Sequence, residues 1–187
     1  MFLSRHQEAI GEPRVAEATG PSPLEEEVAG LFDQYRVPLL RYLYSFGLPM
    51  HDAEEVVQEV FLALFQHLRR GKPRTNLQGW VFRVAHNLGL KRCQARRREG
   101  LGDAADAAGS AWPDAEPNPE EQAAARQRHK HLLAVVEALP ELDRRCLYLR
   151  AEGLRYREIR DVLGMSLGAV SLSLERSLER LSRVNAR

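Results

Sequence analysis

Cysteine is scarce in this chain. Cys93 and Cys146 are the only two, far apart and in no CxxC pair, which excludes a disulfide framework and fits a reducing cytoplasm. Net charge is almost absent as well: 27 basic side chains stand against 26 acidic ones, leaving a formal +1. That excludes a protein that coats nucleic acid by bulk charge, but not one with segregated charge. Long apolar runs are missing, so no segment is expected to span a bilayer. Also missing are a glycine-rich phosphate loop and a nucleophile elbow. The histidines at 51, 67, 86, 129 and 131 show no metal-ligand spacing. The closest pair, His129 and His131, would point to different faces of a helix. Neither an enzyme, nor a cofactor, nor a metal site is expected.

What is present is helical periodicity. The 187 residues are 44% hydrophobic and 28% charged, a soluble globular balance. Residues 1–23 hold several Gly and Pro and no apolar core, which reads as a flexible leader and not a targeting peptide. Val28, Leu31, Phe32, Tyr35, Leu39, Leu43 and Phe46 then form a helical stripe, with a kink or break expected at Pro38. In the second helix Val56, Val57, Val60, Phe61, Leu64, Phe65 and Leu68 line one face. Asp52 and Glu55 are expected to cap it as a capping box. Asn76 can cap a third helix built on Leu77, Trp80, Val81, Val84, Ala85 and Leu88, which runs into a basic end.

Residues 100–122 change character: small residues, prolines and acidic side chains with no basic one, which reads as a linker. A second helical block, 123–187, closes on what reads as a helix-turn-helix. A short helix stops at Gly164, and a longer one capped by Ser166 carries Val170, Leu174, Leu178 and Leu181. The fold class expected is all-α, two small helical domains joined by a flexible acidic linker.

Three constellations stand out. The helix-turn-helix could present its second helix to a major groove. The basic run Lys91, Arg92, Arg96, Arg97 and Arg98, next to Trp80 and Phe82, combines phosphate attraction with stacking surface suited to opened DNA. His86 in that helix is expected to make a polar contact. Asp52, Glu54, Glu55, Gln58 and Glu59 flank an apolar stripe, either as an ordinary solvated face or as a docking surface for a protein.

The run DAEEVVQEVFLALF (52–65) closely resembles the region-two signature of bacterial RNA polymerase sigma factors of the sigma-70 superfamily, extracytoplasmic-function (ECF) group. NLQGWVFRVAHNLGLKRCQARRR (76–98) resembles that family's promoter-melting and −10-reading segment, and 138–181 resembles its region four. The resemblance covers about residues 24–184. It implies a leader (1–23), a region 2 domain (24–99), a linker (100–122) that threads through the polymerase, and a region 4 domain (123–187). It implies that Asp52, Glu54, Glu55, Gln58 and Glu59 dock on the polymerase β′ coiled coil, where complementary charge sets orientation and on-rate. Trp80 and Asn87 would meet the −10 element, with the 71–75 loop helping to hold a flipped base, while Lys91, Arg92, Arg96 and Arg97 hold its backbone. The last helix would read the −35 element through Ser171, Leu172, Ser173 and Arg176. The implied partners are core RNA polymerase (β′ coiled coil and β flap), promoter DNA and an anti-sigma factor, in the cytoplasm and without membrane insertion.

The last helix departs from the family pattern. Where members resemble VGTVKSRLHRARKRL, this chain reads LGAVSLSLERSLERL. Ser171 and Ser173 stand at positions that usually carry cations, and Glu175 adds a negative charge. Fewer cations mean fewer phosphate contacts, so −35 recognition is expected to be weaker, differently specified, or replaced by a protein contact. Two other readings compete: a sigma-like decoy that titrates an anti-sigma factor, and a stand-alone helix-turn-helix regulator.

Overall fold

The computed structural model describes residues 20–100 and 119–185. Among them are seven helices and no strand: α1 (Pro23–Tyr44), α2 (Met50–Arg69), α3 (Leu77–Arg98), α4 (Pro119–Glu137), α5 (Glu141–Ala151), α6 (Tyr156–Leu163) and α7 (Leu167–Asn185). The all-α expectation holds, with α1–α3 as one bundle and α4–α7 as a second. The leader's first residues and most of the linker lie outside the described residues.

Local chemistry sets the helix ends. Ser22 caps α1 in a full capping box with Glu25, which satisfies two orphan amides. The break expected at Pro38 does not occur, since α1 runs through it. Leu39, Leu40, Tyr42 and Leu43 directly after it are all buried, and their packing outweighs the hydrogen bond that proline forfeits. Asn76 caps α3 as expected, accepting from the Gly79 amide at 3.1 Å. The capping box expected on α2 is absent: that helix starts at Met50 behind Pro49, with no side-chain cap. Asp52 is thus inside the first turn and turns its carboxylate elsewhere.

The bundle of α1–α3 closes on Leu43, Phe46, Leu48, Val60, Leu64, Val81 and Phe82. Phe32 meets Phe61 edge-on at 4.9 Å. α1 and α3 approach closely at Gly89, where a Cβ would lie 2.9 Å from the Leu43 side chain; any larger residue would require that buried leucine to shift. In the second bundle Gly164 turns the chain at φ 66° between α6 and α7, a conformation that disfavours other residues. Ser166 then accepts from the Ala169 amide at 3.2 Å to start α7. This is the expected helix-turn-helix.

Candidate functional site

α2 carries the five acidic and amide candidates, and the fold divides them. Asp52 points at α3: its Oδ1 lies 3.1 Å from Arg92 Nε and its Oδ2 accepts from Arg96 Nη1 at 2.8 Å, leaving the side chain 13% exposed. Glu55 pairs with Arg92 on one oxygen and lies 2.9 Å from His51 Nε2 with the other. Glu54 accepts from Arg36 at 3.3 Å. Gln58 and Glu59 are the two that face outward. One helical turn beyond them Leu62 is 60% exposed. It was not among the sequence candidates, although its position off the 56/57/60/61/64 stripe was a readable signal.

On α3, Asn87, Lys91 and Arg97 are exposed, while Arg92 and Arg96 are half-buried in the pairs just described. Trp80 is half-buried, its ring 4.7 Å from that of His67. His67 Nε2 in turn lies 3.1 Å from the Pro73 carbonyl, which ties the loop before α3 to the Trp80 face. His86 makes the polar contact expected of it, but inside the core and not at the basic segment. It is buried between Tyr42 and Phe46, and its Nδ1 is 2.8 Å from the Tyr42 hydroxyl. Burial, and next the Arg145 guanidinium, push its pKa down to about 4. Burial also raises that of Tyr42. The contact is thus a hydrogen bond between a neutral ring and a protonated phenol, its direction set by the imidazole tautomer.

The recognition-helix candidates also divide. Leu172 is 52% exposed and Ser171 half-buried, its hydroxyl donating to Glu175 at 3.1 Å. Ser173 is fully buried and cannot reach DNA from there. Its hydroxyl donates to Asp143 Oδ1 at 2.7 Å. Arg176 donates to the same carboxylate at 2.9 Å, so it links α7 to α5 as well as being available at the surface. Burial raises the Asp143 carboxyl, but hydrogen bonds from Arg176 and Ser173 and the charges of Arg176 and Arg180 outweigh it and hold it below the ordinary range. Ser177, also buried, donates to the Ser173 carbonyl at 2.8 Å. Leu178, expected in the apolar stripe, is instead 56% exposed.

The two bundles meet through α3 and α6 and through α1 and α5. Arg41 grips Glu152 with two nitrogens, at 3.0 and 3.2 Å, and Gln78 donates to the Glu152 carbonyl at 2.8 Å. The Arg145 guanidinium stacks over Phe46 at 4.2 Å. Burial raises the Glu152 carboxyl despite Arg41. None of these links has a sequence-local signature. Among the described residues there is no cluster of metal-ligating side chains, and no helix is long and apolar enough to cross a membrane.

This geometry matches known proteins. The family model for Sigma-70 region 2 matches residues 31–99 and that for Sigma-70, region 4 matches residues 129–181. The chain is 30% identical to the RNA polymerase sigma factor CnrH of Cupriavidus metallidurans, over 90% of this chain and 92% of CnrH. It is 31% identical to the ECF RNA polymerase sigma factor SigE of Mycolicibacterium smegmatis, over 89% of this chain and 65% of that relative. It is 29% identical to the ECF sigma factor SigG of Mycobacterium tuberculosis, of which it spans 52%. In fold it is similar to CnrH in complex with the cytosolic domain of CnrY (TM-score 0.56, 23% identity, 86% of this chain and 88% of that one). It is likewise similar to the sigma factor RpoE in complex with the anti-sigma factor NepR from Bartonella quintana (TM-score 0.60, 17% identity, 86% and 98%).

Proposed function

This chain belongs to the sigma-70 family of RNA polymerase sigma factors, in its ECF group, and on that premise we propose that it directs core polymerase to specific promoters and helps open the −10 element. The observation that carries this reading is the adjacency of two outward surfaces on one bundle. Gln58, Glu59 and Leu62 project from α2, while Asn87 and Lys91 project from α3. A polar rim around an exposed leucine suits a protein partner. An exposed amide and ammonium suit a base edge and a phosphate. The bundle of α1–α3 therefore holds polymerase on one helix and the −10 element on the next. The bundle of α4–α7 serves the −35 element and the β flap. The role is non-enzymatic and its place is the cytoplasm.

The −35 surface is narrower than the sequence implied. Ser171 and Leu172 remain candidates for base contacts, Leu172 against a thymine methyl. Ser173 is assigned to packing, and Arg176 is shared with Asp143. Anti-sigma control is part of the proposal, because the solved RpoE structure of similar fold contains an anti-sigma factor. The test is a core polymerase pull-down followed by run-off transcription on genomic fragments. Specific starts that require the chain support the role; a chain that neither binds core nor directs any start refutes it. The decoy and the stand-alone regulator both predict no starts.

A further inference from the structure

We propose that Asp52 is a positioning residue that sets how much of the charge on α3 is offered to DNA, and not a polymerase contact. Both of its carboxylate oxygens are engaged, at 3.1 Å from Arg92 Nε and 2.8 Å from Arg96 Nη1. Its side chain is 13% exposed and that of Arg96 is 20% exposed, so a docking partner has little of Asp52 to touch. Glu55 takes the remaining face of Arg92. Two guanidiniums thus meet two carboxylates, and the group is neutral as a whole. A phosphate attracts such a group far less than it attracts two unpaired cations, because recruiting either arginine first requires breaking a partly desolvated pair.

The helix ends reinforce the arrangement. Asp52 lies in the first turn of α2 and Arg96 in the last turn of α3, where each charge is favoured by its own helix dipole. The pair therefore fixes the end of α3 against the start of α2, about a turn and a half beyond exposed Lys91. Lys91, outside this group, then contacts phosphate from a fixed position. The chain gains specificity because generic DNA binding, driven by charge alone, is held down.

This inference rests on the sigma-factor reading for its consequence but not for its test. Asp52→Asn removes the charge with little change of shape. The full-length chain and the variant are compared by fluorescence anisotropy on a generic duplex across a salt series, and by titration against core polymerase. Arg92 stays paired with Glu55, so freed Arg96 should tighten generic binding and steepen the log–log salt dependence by about one unit, at roughly 0.9 per recruited phosphate. The double variant Asp52→Asn, Arg96→Gln should give back that unit. Core affinity should stay within about twofold. An unchanged salt slope overturns the proposal, whether the variant only melts earlier or also loses core affinity. A drop in core affinity of about tenfold overturns it too, by making Asp52 a docking contact. The slope comparison needs no polymerase, so a parent chain that fails to bind core counts against the sigma-factor reading alone.

Discussion

His86 makes the stability of this protein pH-dependent in a direction and by an amount that can be worked out. In the unfolded chain its imidazole titrates near 6.5, and in the fold near 4. Between those values the unfolded chain binds a proton that the folded chain does not, so stability is complete above about pH 7 and falls as pH falls. At pH 5 the unfolded imidazole is almost wholly protonated and the folded one hardly at all. The difference costs roughly 2 kcal/mol relative to neutral pH, approaching about 3 kcal/mol as pH nears 4. Protonation would also make both ring nitrogens donors and put a cation near Arg145. The assay is urea unfolding of the parent and of His86→Gln, which keeps a hydrogen-bonding amide and cannot titrate. Asp143, with its lowered carboxyl, adds to the acid loss, whereas Glu152, with its raised carboxyl, opposes it. Both are common to the two proteins and cancel in the comparison. The parent should lose roughly 2 kcal/mol more than the variant between neutral pH and pH 5. Equal losses, or a folded-state histidine resonance that titrates near 6.5 for His86, would refute the buried, neutral assignment.

Other outcomes follow from the same geometry. Glu59→Lys and Leu62→Ala should each weaken binding to core polymerase while shifting stability by no more than about 0.5 kcal/mol; unchanged titration curves would remove α2 as the docking face. Asn87→Ala should alter −10 sequence preference, and Lys91→Ala should lower the salt slope of promoter binding by about one unit; permanganate footprints identical to the parent's for both would count against α3. Ser173→Arg, which restores the cation of the family pattern, should not improve −35 binding. It should destabilise the second bundle by about 3 kcal/mol or more, because a guanidinium must enter a filled, buried site, and a thermal melt like the parent's would show that Ser173 is not where it is described. Glu152→Ala should loosen the contact between bundles without unfolding either, since Arg41 is 44% exposed and water can solvate the guanidinium that loses this carboxylate. Limited proteolysis of the segment between α3 and α4 should then speed up, and an unaltered rate would argue against Glu152 as a link.

The fold class and the helix-turn-helix were legible because they depend on short-range signals. Ser22, Asn76 and Ser166 each accept an amide three residues on, and Gly164 turns where only glycine is comfortable. What the sequence hid has one physical origin: polar groups that answer to partners far along the chain. Asp52 sits three residues ahead of Glu55 and looks like half of a capping box, but two arginines 40 and 44 residues away claim its oxygens. A charge-assisted pair on a half-buried carboxylate outcompetes an exposed local cap. His86 lies on the helix proposed to meet DNA and is nonetheless core, because Tyr42 shares the hydrogen bond that lets an imidazole be buried. α7 gives the sharpest case. Leucine spacing phases its buried stripe on 170, 174, 178 and 181. The buried positions are instead 170, 173, 174 and 177, a rotation toward the two serines that leaves Leu178 in solvent. Asp143 on α5 explains the rotation: a buried carboxylate needs donors, and Ser173 and Arg176 are the side chains of α7 that provide them. Once the helix turns to satisfy that acid, serine is the residue that fits where the family carries arginine, and the exposed leucines are what remains for the surface.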